Sequence, residues 1–355
     1  MHVCLIASSR FPVREPFAGG LEALTHQLAV QLVRRGHEVT LFAAPGSDPD
    51  LPVRVVPAAA FLPSEAARRD VNAPSDLWMA EHHAYLGLML ELARSGRTTY
   101  DVVHNNSLHH LPVAMAPLLD VPVVTTLHTP PTPWLESAIT TAAGTSTFTA
   151  VSRATAEAWA HVVQAVPLPN GVDTAAWTPG PGGGPAVWSG RLVPEKAPHE
   201  AVDAARLAGV PIVLAGPAPD DAYFDAEIGP RLGPDAVHVG HLDHRALKRL
   251  LGRAGVAVVT PAWDEPYGLV AAEAMACGTP VAAYARGALP ELVTDEVGAL
   301  ATGGRVDELA AAIARAAGCD RTAVRAHAVA HLSSERMVAG YEAVYARVAG
   351  GEEAA

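Results

Sequence analysis

Asp264-Glu-Pro-Tyr-Gly-Leu-Val-Ala-Ala-Glu-Ala-Met-Ala-Cys-Gly-Thr279 is the stretch on which the reading of this chain turns. Ahead of it runs Val256-Ala-Val-Val-Thr260, short, apolar and β-branched, which predicts a strand. Inside it the small residues from Gly268 to Cys277 predict a helix closed by Gly278. A strand therefore delivers a loop onto a helix N-terminus. Such a terminus carries unpaired N–H groups and the positive end of the helix dipole, so the amides near Gly268, Leu269 and Val270 suit an anion, phosphate above all. Glu265 precedes the helix and Glu273 lies in its second turn, so the two carboxylates can address different parts of one extended ligand as acceptors for sugar or ribose hydroxyls. Two glutamates flanking a helix are more often simply solvated, and the reading gains weight only because other segments fit the same ligand.

Working outward, Val3 to Ala7 reads as a strand, followed by a loop through Arg10, Arg14, Gly19 and Gly20. A helix from Leu21 to about Arg35 and a second strand, Val39 to Ala43, complete a βαβ unit and hence predict a parallel sheet. Gly19-Gly20 lets backbone approach a ligand just before a helix, but neither the Gly-x-Gly-x-x-Gly dinucleotide fingerprint nor a Walker A sequence is present there. Further strands are expected at Val102-Val103, Val121 to Thr126 and Phe148 to Val151, each ending in a polar loop: His104-Asn105-Asn106, His128-Thr129 and Ser152-Arg153. In open α/β sheets those carboxyl ends are where ligands bind. Pro179-Gly-Pro-Gly-Gly-Gly-Pro185 reads as a flexible linker near a domain boundary. Beyond it the βα alternation restarts with Ala186 to Ser189, Ile212 to Ala215 and Val237 to Val239, and a capped last helix begins near Ser333.

Composition narrows the class. The 355 residues suffice for two domains, and no apolar run approaches the roughly 18 residues that span a bilayer. A net charge of −12 disfavours nucleic acid, whose binding depends on cations, and no basic cluster suggests an anionic lipid surface. No secretory signal is visible, and Cys4, Cys277 and Cys319 make no metal or redox spacing, so a reducing cytoplasmic location is expected without stable membrane insertion. Only two of 25 basic residues are lysine, Lys196 and Lys248, which makes a lysine in a motif position the more informative.

Lys196 is in such a position. Ser189-Gly190-Arg191-Leu-Val-Pro-Glu195-Lys196 follows a strand and precedes a helix, placing two cations on one loop. Together with Glu265, Pro266, Gly268, Glu273 and Ala276-Cys-Gly-Thr-Pro-Val281, this segment resembles the donor site of retaining glycosyltransferase family 4, whose members have the GT-B fold. The resemblance is strongest from Gly190 to Val293, with weaker matches at Gly19-Gly20, His128 and Asn170-Gly171. It implies an α/β chain of two Rossmann-like domains facing a cleft: an acceptor-side domain over residues 1–170, a donor domain over 171–332, and a final helix and tail, 333–355, crossing back to the first.

The resemblance also implies residue roles. Arg191 and Lys196 would hold the diphosphate, and His128 and Glu265 would lie by the transferred sugar. His241 and Leu242 would meet the base through backbone groups, with Tyr267, Gly268, Leu269, Val270 and Glu273 completing the donor site. The family usually has Gly where Ala197 stands and again at Ala288, and Arg286 is atypical. The implied reaction moves a hexose-type sugar from a nucleotide-sugar, UDP-sugar favoured, to a hydroxyl of a small-molecule, glycan or lipid-linked acceptor, with retention. Neither a cofactor nor a metal is implied, and the chain could oligomerise. Two alternatives stay open: an epimerase or sugar-phosphate phosphorylase on the same scaffold, and a nucleotide-sugar binding protein without turnover. His82-His83 and His109-His110 suggest metal at first sight, but adjacent residues do not face one centre, so both pairs are read as structural or acceptor-side. Asp48-Pro49-Asp50 imitates a metal-binding Asp-x-Asp but lies far from every donor motif.

Overall fold

The computed structural model describes residues 1–56, 61–142, 144 and 146–350. They form two compact units. The first comprises residues 1–150, 156–167 and 338–355, the second residues 151–155 and 168–337. The chain thus changes unit at 150/151, 155/156, 167/168 and 337/338, where the expected boundaries were 170/171 and 332/333.

In the first unit, seven strands form one parallel sheet: β1 (His2–Ile6), β2 (Glu38–Ala43), β3 (Val53–Val55), β4 (Val102–Asn105), β5 (Val123–Leu127), β6 (Thr147–Ala150) and β7 (Val166–Pro167). Their order is β3-β2-β1-β4-β5-β6-β7. Strands β4 and β5 are buried along their whole length, as expected where helices cover both faces. The short strands β3 and β7, at the two edges of the sheet, escaped the sequence analysis because three- and two-residue pairings carry no periodic signal.

The last helix, Ser334–Ala349, belongs to this first unit from Val338 onward. It is fastened by a buried polar chain: His104 on β4 lies 2.6 Å from the Tyr345 hydroxyl through Nδ1 and 2.7 Å from Thr126 Oγ1 through Nε2. Thr126 in turn contacts the hydroxyls of Tyr341 and Thr149. Burial lowers the His104 imidazole to about 3, so the ring is neutral and offers one donor and one acceptor, as these two contacts require.

The second unit holds a six-stranded parallel sheet: β8 (Gly184–Ser189), β9 (Ile212–Ala215), β10 (Ala236–His238), β11 (Ala254–Val259), β12 (Val281–Tyr284) and β13 (Gly298–Ala301). The order β10-β9-β8-β11-β12-β13 reverses direction between β8 and β11, and this is the switch point at which doubly wound sheets take their ligands. The Gly-rich stretch 179–185 is no free linker. Gly184 and Pro185 open β8, Gly182 N–H donates to the Gly252 carbonyl at 2.9 Å, and a Cβ on Gly180 would lie 2.4 Å from that same oxygen. The glycines there serve close packing of backbone on backbone.

The helix Leu269–Ala276 follows the switch point and is apolar on every side except at Glu273, as a helix enclosed in a core must be. Its C-terminal carbonyls have no partners within the helix. Two arginines from the helix Arg321–His331 satisfy that end. Arg325 Nη1 donates to the Ala276 carbonyl at 2.5 Å, and Arg321 Nη2 donates to the carbonyls of Cys277 at 3.2 Å and Gly252 at 3.0 Å and to Thr279 Oγ1 at 3.0 Å. Removing Arg321 takes a charged donor from Thr279 Oγ1 and from the carbonyls of Cys277 and Gly252, which keep only the Gly180 and Gly182 amides. Arg321→Ala is therefore expected to cost about 2–3 kcal/mol in urea unfolding, whereas Arg305→Ala, which breaks an exposed pair with Asp307, should leave the unfolding midpoint nearly unchanged.

Candidate functional site

The carboxyl ends of β8 and β11 carry the two motif loops, and they meet. Lys196 Nζ lies 2.5 Å from Glu265 Oε2, and the same oxygen accepts from Trp263 Nε1 at 3.2 Å. The ammonium also stands 4.9 Å from the centre of the Trp263 ring. Trp263 was not among the expected site residues. Its indole is both a face for the cation and a donor to the carboxylate, and no spacing rule connects it to Lys196, 67 positions earlier in the chain.

Glu265 is held from two sides through its backbone. A Cβ on Gly287 would lie 2.2 Å from the Glu265 carbonyl oxygen and 2.5 Å from its nitrogen, so only glycine fits, and Gly287 takes φ +56° besides. The Ala288 amide donates to that carbonyl at 2.8 Å. On the other side Ser152 Oγ and Thr155 Oγ1 donate to the Pro266 carbonyl at 2.7 and 3.1 Å. The segment bearing those hydroxyls is itself pinned by Glu291, whose carboxylate accepts from the amides of Arg153 and Ala154 at 3.1 and 2.7 Å. Ser152, Thr155, Gly287 and Glu291 thus position the loop. Ser152 stood in one of the expected polar loops, but nothing in the sequence ties it or Thr155 to Pro266, more than 100 residues away.

At the helix start, Gly268 adopts the left-handed conformation (φ +98°) as N-cap and supplies no side-chain partner. The amides of Leu269 and Val270 have no hydrogen-bond partner among the described residues. The amides expected to accept an anion thus have no protein acceptor among the described residues. Glu273 is 9% exposed and its carboxylate likewise lacks a hydrogen-bond partner among the described residues. Burial alone raises its pKa to about 8. A mostly buried carboxyl with no protein partner costs the free protein stability.

Arg191 is exposed, with Glu195 at 3.6 Å as its ion-pair partner, so it is uncommitted compared with Lys196. Ala197, where the resemblance leads one to expect Gly, adopts φ +43° and ψ +51° and is 2% exposed. The backbone keeps the left-handed turn that glycine makes without strain, at roughly 1–2 kcal/mol for an alanine.

Of the remaining expected residues in this unit, His241 is exposed and Leu242 partly so. Tyr267 turns its ring into the core, where its hydroxyl has no partner, and burial pushes that hydroxyl far up. Its side chain is a packing element, and only its backbone belongs with the loop. Arg286 lies across Gly303, its Nε buried and unpaired.

His128, Gly19 and Gly20 belong to the first unit. His128 follows β5, and its Nε2 lies 3.0 Å from Asn106 Oδ1 at the end of β4. Burial lowers its pKa to about 3, so it acts at neutral pH as a hydrogen-bonding group and not as a titrating acid. Gly19 is the extended N-cap of the helix Gly20–Arg34. Asp48, from the Asp-x-Asp imitation, is committed to His26 Nε2 at 2.8 Å and to the Asp50 amide. The two histidine pairs depart from expectation: His109 and His110 do present their rings together, 4.3 Å apart, and His82 joins them.

With the geometry established, comparison with known proteins adds the family. Residues 18–176 match the family described as Glycosyltransferase Family 4, and residues 185–328 match Glycosyl transferases group 1. A glycogen synthase of Mycobacterium tuberculosis is 31% identical over 326 residues, covering 78% of this chain and 76% of that one. Among solved structures, AviGT4, a glycosyltransferase involved in avilamycin A biosynthesis, is 25% identical with a TM-score of 0.72, covering 99% of this chain and 98% of that one. Anabaena Alr3699/HepE, solved with UDP and glucose, is 21% identical with a TM-score of 0.74, covering 98% and 99%. Fold, switch-point loops and relatives agree, and the chain belongs to the family 4 glycosyltransferases of the GT-B fold.

Proposed function

We propose that this glycosyltransferase moves a hexose-type sugar from a nucleotide-sugar, UDP-sugar favoured, to an acceptor hydroxyl with retention and without a metal at the diphosphate. The observation that carries the reading is the convergence of Lys196, Glu265 and the unpaired amides of Leu269 and Val270 at the β8/β11 switch point, with the dry carboxyl of Glu273 one helical turn further on. A diphosphate seated on the helix amides takes up their dipole. Lys196 then divides its charge between Glu265 and the leaving phosphate, and Arg191 swings in from its exposed position. These cations balance the charge that develops as the bond from the sugar anomeric carbon to the β-phosphate oxygen breaks, the role a divalent ion plays elsewhere. The acceptor oxygen bonds to the same face of that carbon, and its proton passes to the departing phosphate oxygen. The bound sugar and UDP of the Anabaena relative support the choice of donor by analogy of fold. Acceptor and cellular compartment stay as the sequence suggested: a hydroxyl-bearing small molecule, glycan or lipid-linked acceptor, met in the cytoplasm by a protein in which no described helix is long and apolar enough to cross a membrane.

A thermal-shift panel of UDP-, GDP-, ADP- and TDP-sugars in magnesium-free buffer tests the reading. The expected outcome is a raised melting temperature for one base, transfer to an acceptor with the anomeric configuration retained in the product's NMR spectrum, and a rate that added Mg2+ changes by less than about tenfold, roughly 1.4 kcal/mol of barrier. Silence across the panel, or an inverted product, contradicts it.

The carboxylates make a sharper prediction. Glu273→Gln should weaken both the nucleotide-sugar and the free nucleoside diphosphate by about 1.5–3 kcal/mol, while Glu265→Gln weakens only the former and lowers turnover. Calorimetric titration of both variants with both ligands checks this. Stability moves the opposite way. The unfolded chain ionises Glu273 near the ordinary 4.5 and the folded one only near 8, so the parent loses stability as pH rises through that window. The ligand-free Glu273→Gln protein should therefore melt above the parent at pH 8 and level with it at pH 4.

A further inference from the structure

The helix Asp76–Thr99 and the loop after β4 bring three histidines together in the first unit. One ring nitrogen from each of His82, His109 and His110 lies within 4.8 Å of the other two, and all three side chains are partly buried. Each ring is fixed in its plane by an aromatic neighbour. Trp78 stacks on His82 at 5.0 Å and 11°, Tyr85 on His109 at 4.5 Å and 22°, and Trp134 on His110 at 5.1 Å and 26°. Stacking accounts for the planes. The rings of His109 and His110 also stack on each other at 4.3 Å and 25°, but stacking does not account for His82 Nδ1, which is buried without a hydrogen-bond partner among the described residues. His109 Nδ1 accepts from the Leu111 amide at 3.2 Å, which marks it as a nitrogen with a lone pair to give. The nearby cation Arg10 is already neutralised, since Glu81 takes both its Nε and its Nη2.

We propose that His82, His109 and His110 form a three-imidazole site for one late first-row divalent ion of the zinc, cobalt or nickel type, with its remaining position open to water or an oxygen ligand. Imidazole nitrogens suit these ions, and three protein ligands with one open position is the pattern of sites that exchange ligands. Metal–nitrogen bonds of about 2.1 Å place the nitrogens about 3.4 Å apart in a tetrahedron, so the rings must close by about 1 Å, which small side-chain rotations provide. An ion bound through Nδ1 of His82 would give that atom the partner it lacks. The site lies at the carboxyl edge of the first sheet, where this fold class takes ligands. It belongs to the first unit alone and does not rest on the glycosyl-transfer reading.

Tag-free protein, stripped by dialysis against chelator, is titrated with Co2+, followed by visible absorption, and with Zn2+, followed by calorimetry. The expected result is saturation at one ion per chain with a tetrahedral or five-coordinate cobalt spectrum. His82→Ala and His110→Ala should each weaken binding by more than about tenfold. The variant His327→Ala, which removes the other close histidine pair, His327 and His331 at 4.8 Å between rings, should bind as the parent does. Far-UV circular dichroism of the stripped variants establishes that they fold, and His82→Gln takes the place of His82→Ala if that variant does not. No saturable binding by the parent, undiminished binding by the His82 and His110 variants, or loss only with His327→Ala overturns the proposal.

Discussion

The second unit depends on one short-range constraint, the steric clamp between Gly287 and the backbone of Glu265. With no Cβ in the way, the turn after β12 presses onto the loop after β11 and lets the Ala288 amide cap the Glu265 carbonyl. The carboxylate then reaches Lys196 on the loop after β8. Three consecutive loops at the switch point are tied into one surface in this way. The alternative, a mobile Glu265 in solvent, would lose the preorganisation that makes charge stabilisation effective. Ser152 and Thr155 act on the same loop through the next carbonyl, so both ends of the Glu265–Pro266 peptide unit are restrained.

The helix behind that surface obeys the opposite demand. It is packed on all sides, its C-terminal carbonyls are satisfied by Arg321 and Arg325, and its first amides and the Glu273 carboxyl have no partner among the described residues. A helix this short gains little stability from its own hydrogen bonds. Its order comes from burial in the core, and that burial is what lets the unit carry a dry carboxyl and a left-handed alanine at 197 together. Such costs collect where function is served.

Legibility in the sequence followed the range of the interactions. Parallel strands such as Val123–Leu127 and Ala254–Val259 announce themselves as runs of β-branched and apolar residues, and the alternation of strands and helices implies the doubly wound sheets. The donor loops were legible because their residues sit at fixed spacings on single segments. What escaped was set by contacts across long stretches of chain. Examples are the Trp263 indole under Lys196, the hydroxyls of Ser152 and Thr155 on Pro266, and the backbone packing that turns residues 179–185 from an apparent linker into part of a core. The histidines are the clearest case. Adjacent residues do point apart in a regular helix or strand, but His109 and His110 lie in a loop, where that rule does not apply, and their third member comes from a helix 27 residues earlier.

In the proposed function, Glu273 is a buried acid that becomes a carboxylate when it accepts ribose hydroxyls. With its pKa raised to about 8, the group is mostly protonated at pH 7 in the free protein, and a ligand that prefers the charged form must expel that proton. The direct measurement is calorimetric titration of the nucleoside diphosphate at pH 7 in buffers of different ionisation enthalpy, on the parent and on Glu273→Gln. The account predicts that the parent releases about one more proton per bound ligand than the variant, with an affinity that rises between pH 6 and pH 8 in the parent alone. Equal proton release by the two proteins would contradict it.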